Sequence, residues 1–121
     1  MKTLHVGIAS YKKVKARTMG IARGDYKPSK SEPKIWFTSA ESFAKVLSDK
    51  NRGLLDMIRQ SEPSSIGDLA EKSGRKKSNL SRTLRTMENY GLVTLKKAGK
   101  GRIIPKVNYS NISVTLPIGA V

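Results

Sequence analysis

Residues 78–93, SNLSRTLRTMENYGLV, carry the side chains whose types and spacing best suit a chemical task. With Leu80 at zero on a helical wheel, Leu84 falls near about 40°, Met87 near about −20° and Gly91 near about 20°. They form one narrow apolar stripe. Ser78, Arg82, Arg85 and Asn89 lie within about 40° of the opposite side, and Asn79 and Ser81 flank them near the helix start. The task such a face could perform is readout of a nucleic-acid groove. Arginine reaches guanine O6 and N7 with two parallel donors, asparagine pairs with adenine, and serine contacts bases or phosphates. The first residues of a recognition helix usually do the base reading. Here they are Lys77, Ser78, Asn79, Ser81 and Arg82, with Arg75 and Lys76 just ahead, where phosphates would pass. No acidic residue falls between 72 and 87. An exposed helix face is always polar, however, so the helix alone does not separate a groove reader from an ordinary solvated surface.

Its neighbours shift the balance. Before it, Ser65 and Asp68 have the spacing of a capping box. The short helix IGDLAEKS follows, burying Ile66, Leu69 and Ala70, and Gly74 stops it ahead of the basic turn RKK. Two helices joined by so tight a turn fit helix-turn-helix geometry. After Gly91 the apolar period changes from 3.6 to 2. LVTLKK (92–97), the turn AGKG (98–101) and RIIPKV (102–107) read as a β-hairpin with Lys96, Lys97, Lys100 and Arg102 around its tip. Pro105 implies an edge position or a bulge.

Bulk composition agrees. In 121 residues there are 24 Lys and Arg against 9 Asp and Glu, a net charge of +15. Such a surface attracts polyanions: DNA, RNA, an acidic membrane or a very acidic protein. The length suits one modest domain. With no cysteine, disulfides and thiolate metal sites are excluded. No apolar run reaches the length of a membrane span, and MKTLHVGIASYKK has no stretch suited to a signal peptide, so a soluble, cytoplasmic protein is expected. His5 is the only histidine, and no GxSxG, P-loop or HExxH pattern occurs. No catalytic residues, metal or cofactor are therefore expected, and the chain is read as not an enzyme. The seven aromatics do not cluster among basic residues, which disfavours single-stranded RNA binding by stacking.

The remaining elements would frame this core. TLHVGI (3–8) alternates Leu4, Val6 and Ile8 as a strand. SYKKVKARTMGIAR (10–23) reads as a helix with Tyr11, Val14 and Ile21 near one face, five uncompensated positive charges, and Gly24 at its end. It could track phosphates or simply cover a groove with its other face in water. DYKPSKSEP (25–33) is a polar linker and KIWF (34–37) a short strand. Thr38 and Glu41 have capping-box spacing. Residues 39–61 should then form one kinked helix or two short ones, with Phe43, Val46 and Leu47 giving an apolar face and Leu54, Leu55 and Ile58 buried. Gly53 would mark a break or a close contact. ISVTL (112–116) alternates Ile112, Val114 and Leu116 as a last strand. The expected fold is mainly α with a small β-sheet (α+β): a winged helix-turn-helix with flanking N- and C-terminal strands. The organisation would be an arm at 1–33, the winged domain with its C-terminal strand at 34–116, and a tail at 117–121. The three flanking strands either complete the core of one copy or form a sheet shared between two.

SIGDLAEKSGRKKSNLSRTLRTMENYGLV resembles the core of small winged-helix regulators related to the MarR and ArsR families, over about residues 39–107. The flanks TLHV, WFTSAESFAKVLS and ISVTL resemble a narrower group of small bacterial and archaeal regulators, often encoded beside a toxin as its antitoxin. The resemblance implies a homodimer that binds double-stranded DNA at its own operator and represses its own promoter, with a cognate toxin as a further partner. By position it places Ser78, Asn79, Ser81, Arg82 and Arg85 toward the major groove and Lys100 and Arg102 at the wing. The cysteines through which ArsR members often sense metals are missing, and so is the acidic segment with which many antitoxins hold a basic toxin. Two other readings stand beside this one: an interaction protein that chiefly holds a partner, and a non-specific nucleic-acid binder.

Overall fold

A computed structural model of the chain describes residues 2–30 and 32–118. Among these residues, five α-helices, a two-stranded sheet and a three-stranded sheet give an α+β fold with the helix, helix, helix, hairpin order of a winged helix-turn-helix. The chain divides into two compact units: residues 46–109, and residues 2–45 together with 110–118. The division falls at the end of the second helix and the start of the last strand. Part of the stretch expected as tail, from residue 119 on, lies outside the described residues.

The unit of residues 46–109 holds α3 (Asp49–Ser61), α4 (Ile66–Ser73), α5 (Lys77–Asn89), β3 (Thr94–Lys97) and β4 (Ile103–Lys106). The apolar residues read from the 3.6-residue period become its core. Leu54, Leu55 and Ile58 of α3, Ile66 and Leu69 of α4, and Leu80, Leu84 and Met87 of α5 are all buried, with Leu92 and Val93 beyond them. α4 packs against α3, α5 and β4, and α5 against β3. The Ser65 hydroxyl accepts from the Asp68 amide at 2.9 Å, as the capping-box spacing predicts. The Asp68 carboxylate reaches back to the Ser64 amide, one residue ahead of the cap, also at 2.9 Å. That bond and the Lys72 ammonium beside it hold the Asp68 carboxyl below its ordinary range.

The other unit holds β1 (Lys2–Ile8), α1 (Tyr11–Ala22), β2 (Ile35–Phe37), nearly all of α2 (Ala40–Val46), and β5 (Tyr109–Thr115) from Ser110 on. Its sheet order is β2-β1-β5. β1 and β2 run parallel, pairing Val6 with Ile35, Gly7 with Trp36 and Ile8 with Phe37. Leu4, Val6, Ile8 and Phe37 are buried, and Phe43 of α2 meets Phe37 edge to face at 5.3 Å. The Trp36 ring lies over Gly7, so closely that a β-carbon there would come within 2.5 Å of it.

Residues 39–61 form two short helices, one of the two forms expected, with the interruption at Leu47–Ser48, where the Ser48 hydroxyl starts α3 by accepting from the Asn51 amide. Other expectations need correction. Gly53 sits exposed inside α3 with nothing near it, and marks neither a break nor a contact. α2 is capped by Ser39, which accepts from Ser42, not by Thr38 with Glu41. Tyr11 stays 68% exposed because α1 turns only Val14, Arg17, Gly20 and Ile21 part-way inward. The last strand starts three residues earlier than expected and leaves Val114 and Leu116 exposed.

Candidate nucleic-acid interface

The turn between α4 and α5 is only Gly74, Arg75 and Lys76. Gly74 adopts the left-handed conformation (φ 71°) and donates its amide to Ala70 at 2.9 Å, closing α4. That conformation is costly for a residue with a β-carbon. α5 then begins without a side-chain cap. Its N-cap position is Lys76, whereas Ser10, Ser39, Ser48 and Ser65 each accept from an amide three residues on before α1, α2, α3 and α4. The first amides of α5 are left open at the positive end of the helix dipole, a geometry that favours an anion.

Leu80, Leu84 and Met87 are buried, so the opposite side of α5 faces outward. Lys77, Ser78, Asn79, Arg82, Arg85 and Asn89 are exposed on it, and Ser81 is half-buried. Arg75 is also half-buried. Its amide donates to the Ser73 hydroxyl at 3.3 Å, and its guanidinium Nη1 is buried without a hydrogen-bond partner among the described residues. α5 ends at Asn89. Gly91, in the left-handed conformation (φ 76°), sends the chain into the hairpin, with the Leu92 amide donating to Met87 at 2.9 Å.

In the hairpin, Lys96 pairs with Ile104, Lys97 with Ile103 and Leu95 with Pro105, in a continuous register without a bulge. Pro105 is buried, in a two-stranded sheet where either strand is an edge. The tip is one 3-10 turn, Gly99–Gly101. Lys100 at its centre has φ 63°, one of two non-glycine residues with positive φ among those described. Lys96, Lys97, Lys100 and Arg102 are all exposed.

Electrostatically the face is uncompensated. Among the described residues, the ion pairs are Arg17–Glu32, Arg52–Asp49, Arg59–Asp56 and Lys72–Asp68, and none engages α5 or the hairpin. The basic α1 differs in part. Its Arg17 is committed to Glu32 at 3.1 Å and lies over the Trp36 and Tyr26 rings at 5.3 and 5.8 Å, while Lys12, Lys13, Lys15 and Arg23 remain exposed. The Tyr26 hydroxyl donates to Glu32. That hydrogen bond, followed by the one from Arg17, holds the Glu32 carboxyl low, and the carboxylate in turn raises the Tyr26 pKa.

Two features of the site were not drawn from the sequence. The open N-terminus of α5 had a visible signal, a lysine where a serine stands before the other helices. The left-handed Lys100 had none, since lysine does not favour that conformation. Among the described residues no group of three or more His, Asp or Glu could hold a metal ion, and no helix is long and apolar enough to cross a membrane.

No curated protein matches the chain. Among solved structures it is similar to the crystal structure of the predicted DNA-binding transcriptional regulator from E. coli, at 20% identity and a TM-score of 0.48, over 84% of this chain and 86% of that one. Residues 46–114, more than half of the sequence and including the whole helix-turn-helix and hairpin, match the model of the HVO_A0114 family, and the protein belongs to that family.

Proposed function

We propose that the chain is a sequence-specific DNA-binding regulator that lays α5 in the major groove and its hairpin against the adjoining backbone or minor groove. The observation that carries this reading is the outward face of α5. Arg82, Arg85, Ser78 and Asn79 stand exposed on it, and no acid pairs with either arginine. Phosphate contacts from Arg75, Lys76, Lys77, Lys96, Lys97, Lys100 and Arg102 supply affinity, and contacts to base edges set the site. In its fuller form the reading is a cytoplasmic homodimer that represses its own promoter by occupying it. A two-fold dimer then calls for a near-palindromic operator with half-sites about 10 base pairs apart. The narrower role, antitoxin of a toxin–antitoxin operon, rests on the resemblance of the flanks, and co-purification with the product of the neighbouring gene tests it.

The central test is fluorescence anisotropy with the duplex upstream of the gene against a scrambled duplex, at two salt concentrations. A specific regulator prefers its operator by about a thousandfold or more. Arg82→Ala and Asn79→Ala each lower operator affinity by about 1–3 kcal/mol and relax the sequence preference. Equal, steeply salt-dependent binding to both duplexes refutes the reading in favour of a generic polyanion binder.

A further inference from the structure

The three-stranded sheet has two edges, and they are built differently. An open edge offers unpaired amides and carbonyls to any strand that approaches, and proteins guard such edges with shortness, proline and lysine. β2 has all three: it spans three residues and follows Pro33 and Lys34. β5 has none. It spans seven residues, YSNISVT, without proline, glycine or charge. From Ser113 to Ile118 every residue is exposed, with Val114 at 43% and Leu116 at 60%. Ile112, Val114 and Leu116 alternate, so this open edge also carries an apolar face.

Charge decides what can pair there. Two copies of a chain with a net charge of +15 repel each other over most of their surface. After Lys106, however, the sequence carries no Asp, Glu, Lys or Arg. An acidic partner gains nothing from that neutral strand and is drawn to the cationic surfaces instead. For a second copy it is the longest stretch of the sequence where self-repulsion is absent.

We propose that the free edge of β5 is the seam between two copies of this chain, β5 against β5, antiparallel about a two-fold axis. The pairing joins the two three-stranded sheets into one continuous sheet, and a register centred near Thr115 sets Val114 of one copy beside Leu116 of the other. Being two-fold, it uses up the open edge and closes. The inference rests on the proposed regulator in taking the functional unit as a dimer, but the seam needs no DNA.

The test uses the full chain without DNA. Sedimentation at micromolar concentration reads a dimer for the unaltered protein and a monomer for Val114→Lys combined with Leu116→Lys, the far-UV circular dichroism staying unchanged. A cysteine scan checks the seam without weakening the strand, and the background is clean because the sequence has no cysteine. Near the two-fold axis a residue faces its own copy with Cα atoms about 4.5–5.5 Å apart, within disulfide reach. Among Asn111→Cys, Ser113→Cys and Thr115→Cys, at least one cross-links to a dimer under mild oxidation, whereas Lys12→Cys on α1 does not. A monomeric unaltered protein overturns the seam. So does a dimer that survives the double lysine change, or one that cross-links no better on β5 than at Lys12→Cys. A monomer that associates through β5 only when the neighbouring gene product is added overturns it in favour of that partner. A dimer joined at β5 with no operator preference overturns the regulator and leaves the seam. A monomer that still prefers a single half-site does the reverse.

Discussion

Replacing Lys76 by serine should make the protein more stable and a poorer DNA binder at once. The backbone at Lys76 already has the shape of a helix cap, φ −65° and ψ 137°, against φ −62° and ψ 154° at Ser10 and φ −60° and ψ 163° at Ser48. A serine there needs no rearrangement to accept from the Asn79 amide, as the serines before the other helices do at 2.9–3.3 Å. A good cap contributes about 1 kcal/mol. Removing a cation from the positive end of the helix dipole adds about 0.3 kcal/mol or more. Together, about 1.3 kcal/mol, they raise the midpoint of thermal unfolding of the 46–109 unit by roughly 5–10 °C, since a unit of this size responds by about 4–8 °C per kcal/mol. The same change removes one phosphate contact and occupies an amide that could hold an anion. The slope of log affinity against log salt should therefore fall in magnitude by about 1. Thermal unfolding followed by circular dichroism reads the first effect, and anisotropy at several salt concentrations the second. Lys76→Met is the control: it removes the same phosphate contact without adding a cap or occupying the amide, so binding weakens somewhat less and stability rises only by the small dipole contribution. An unchanged or lowered stability in Lys76→Ser would refute the account of the open helix end. Unchanged DNA binding in both variants would remove the start of α5 from the interface.

Three further outcomes follow from positions described above. Lys100→Gly relieves a left-handed backbone at the hairpin tip, so urea unfolding should show a gain of about 0.5–1 kcal/mol while the salt dependence of DNA binding falls. Gly7→Ala drives a β-carbon into the Trp36 ring, which is anchored by its Nε1 donating to the Pro33 carbonyl at 3.1 Å. It should cost about 1–3 kcal/mol in the same experiment. The Glu32 carboxyl is held low by the Tyr26 hydroxyl and then by Arg17, so its folded pKa lies below its unfolded one. Its contribution is therefore present above the unfolded value and lost as pH falls through the folded value. Glu32→Gln should flatten the acid limb of a stability-versus-pH curve, and an unaltered limb would contradict the assignment.

The helix-turn-helix was readable because each of its apolar positions has a partner within the same unit. The stripe Leu80, Leu84, Met87 and the anchors Ile66 and Leu69 are all buried on α5 and α4, which pack against each other, so period and burial coincide. Where period names a face that little covers, the reading drifts. Tyr11 shares a side of α1 with Val14 by spacing, yet stays in water, and the alternation of Val114 and Leu116 says strand without saying what lies against it. Gly53 suggests a break or a close contact on conformational grounds, but a well-placed serine at residue 48 starts a helix more firmly than one exposed glycine ends it. The exposure of the α5 cations could be read residue by residue, because exposure on an amphipathic helix follows from its buried stripe. The left-handed Lys100 could not, since nothing in a lysine encodes that backbone, only the closure of the hairpin around it.

The protein contains a single tryptophan, and Trp36 packs on Gly7 beneath the Arg17 guanidinium, in the unit that lacks the helix-turn-helix. Its fluorescence is therefore a private optical signal of the flanking sheet. Circular dichroism, weighted toward helices, reports chiefly on the other unit. Following one denaturant titration by both signals asks whether the two units melt as one body: superimposed curves mean a single cooperative transition, and separated midpoints assign a stability to each half of the chain.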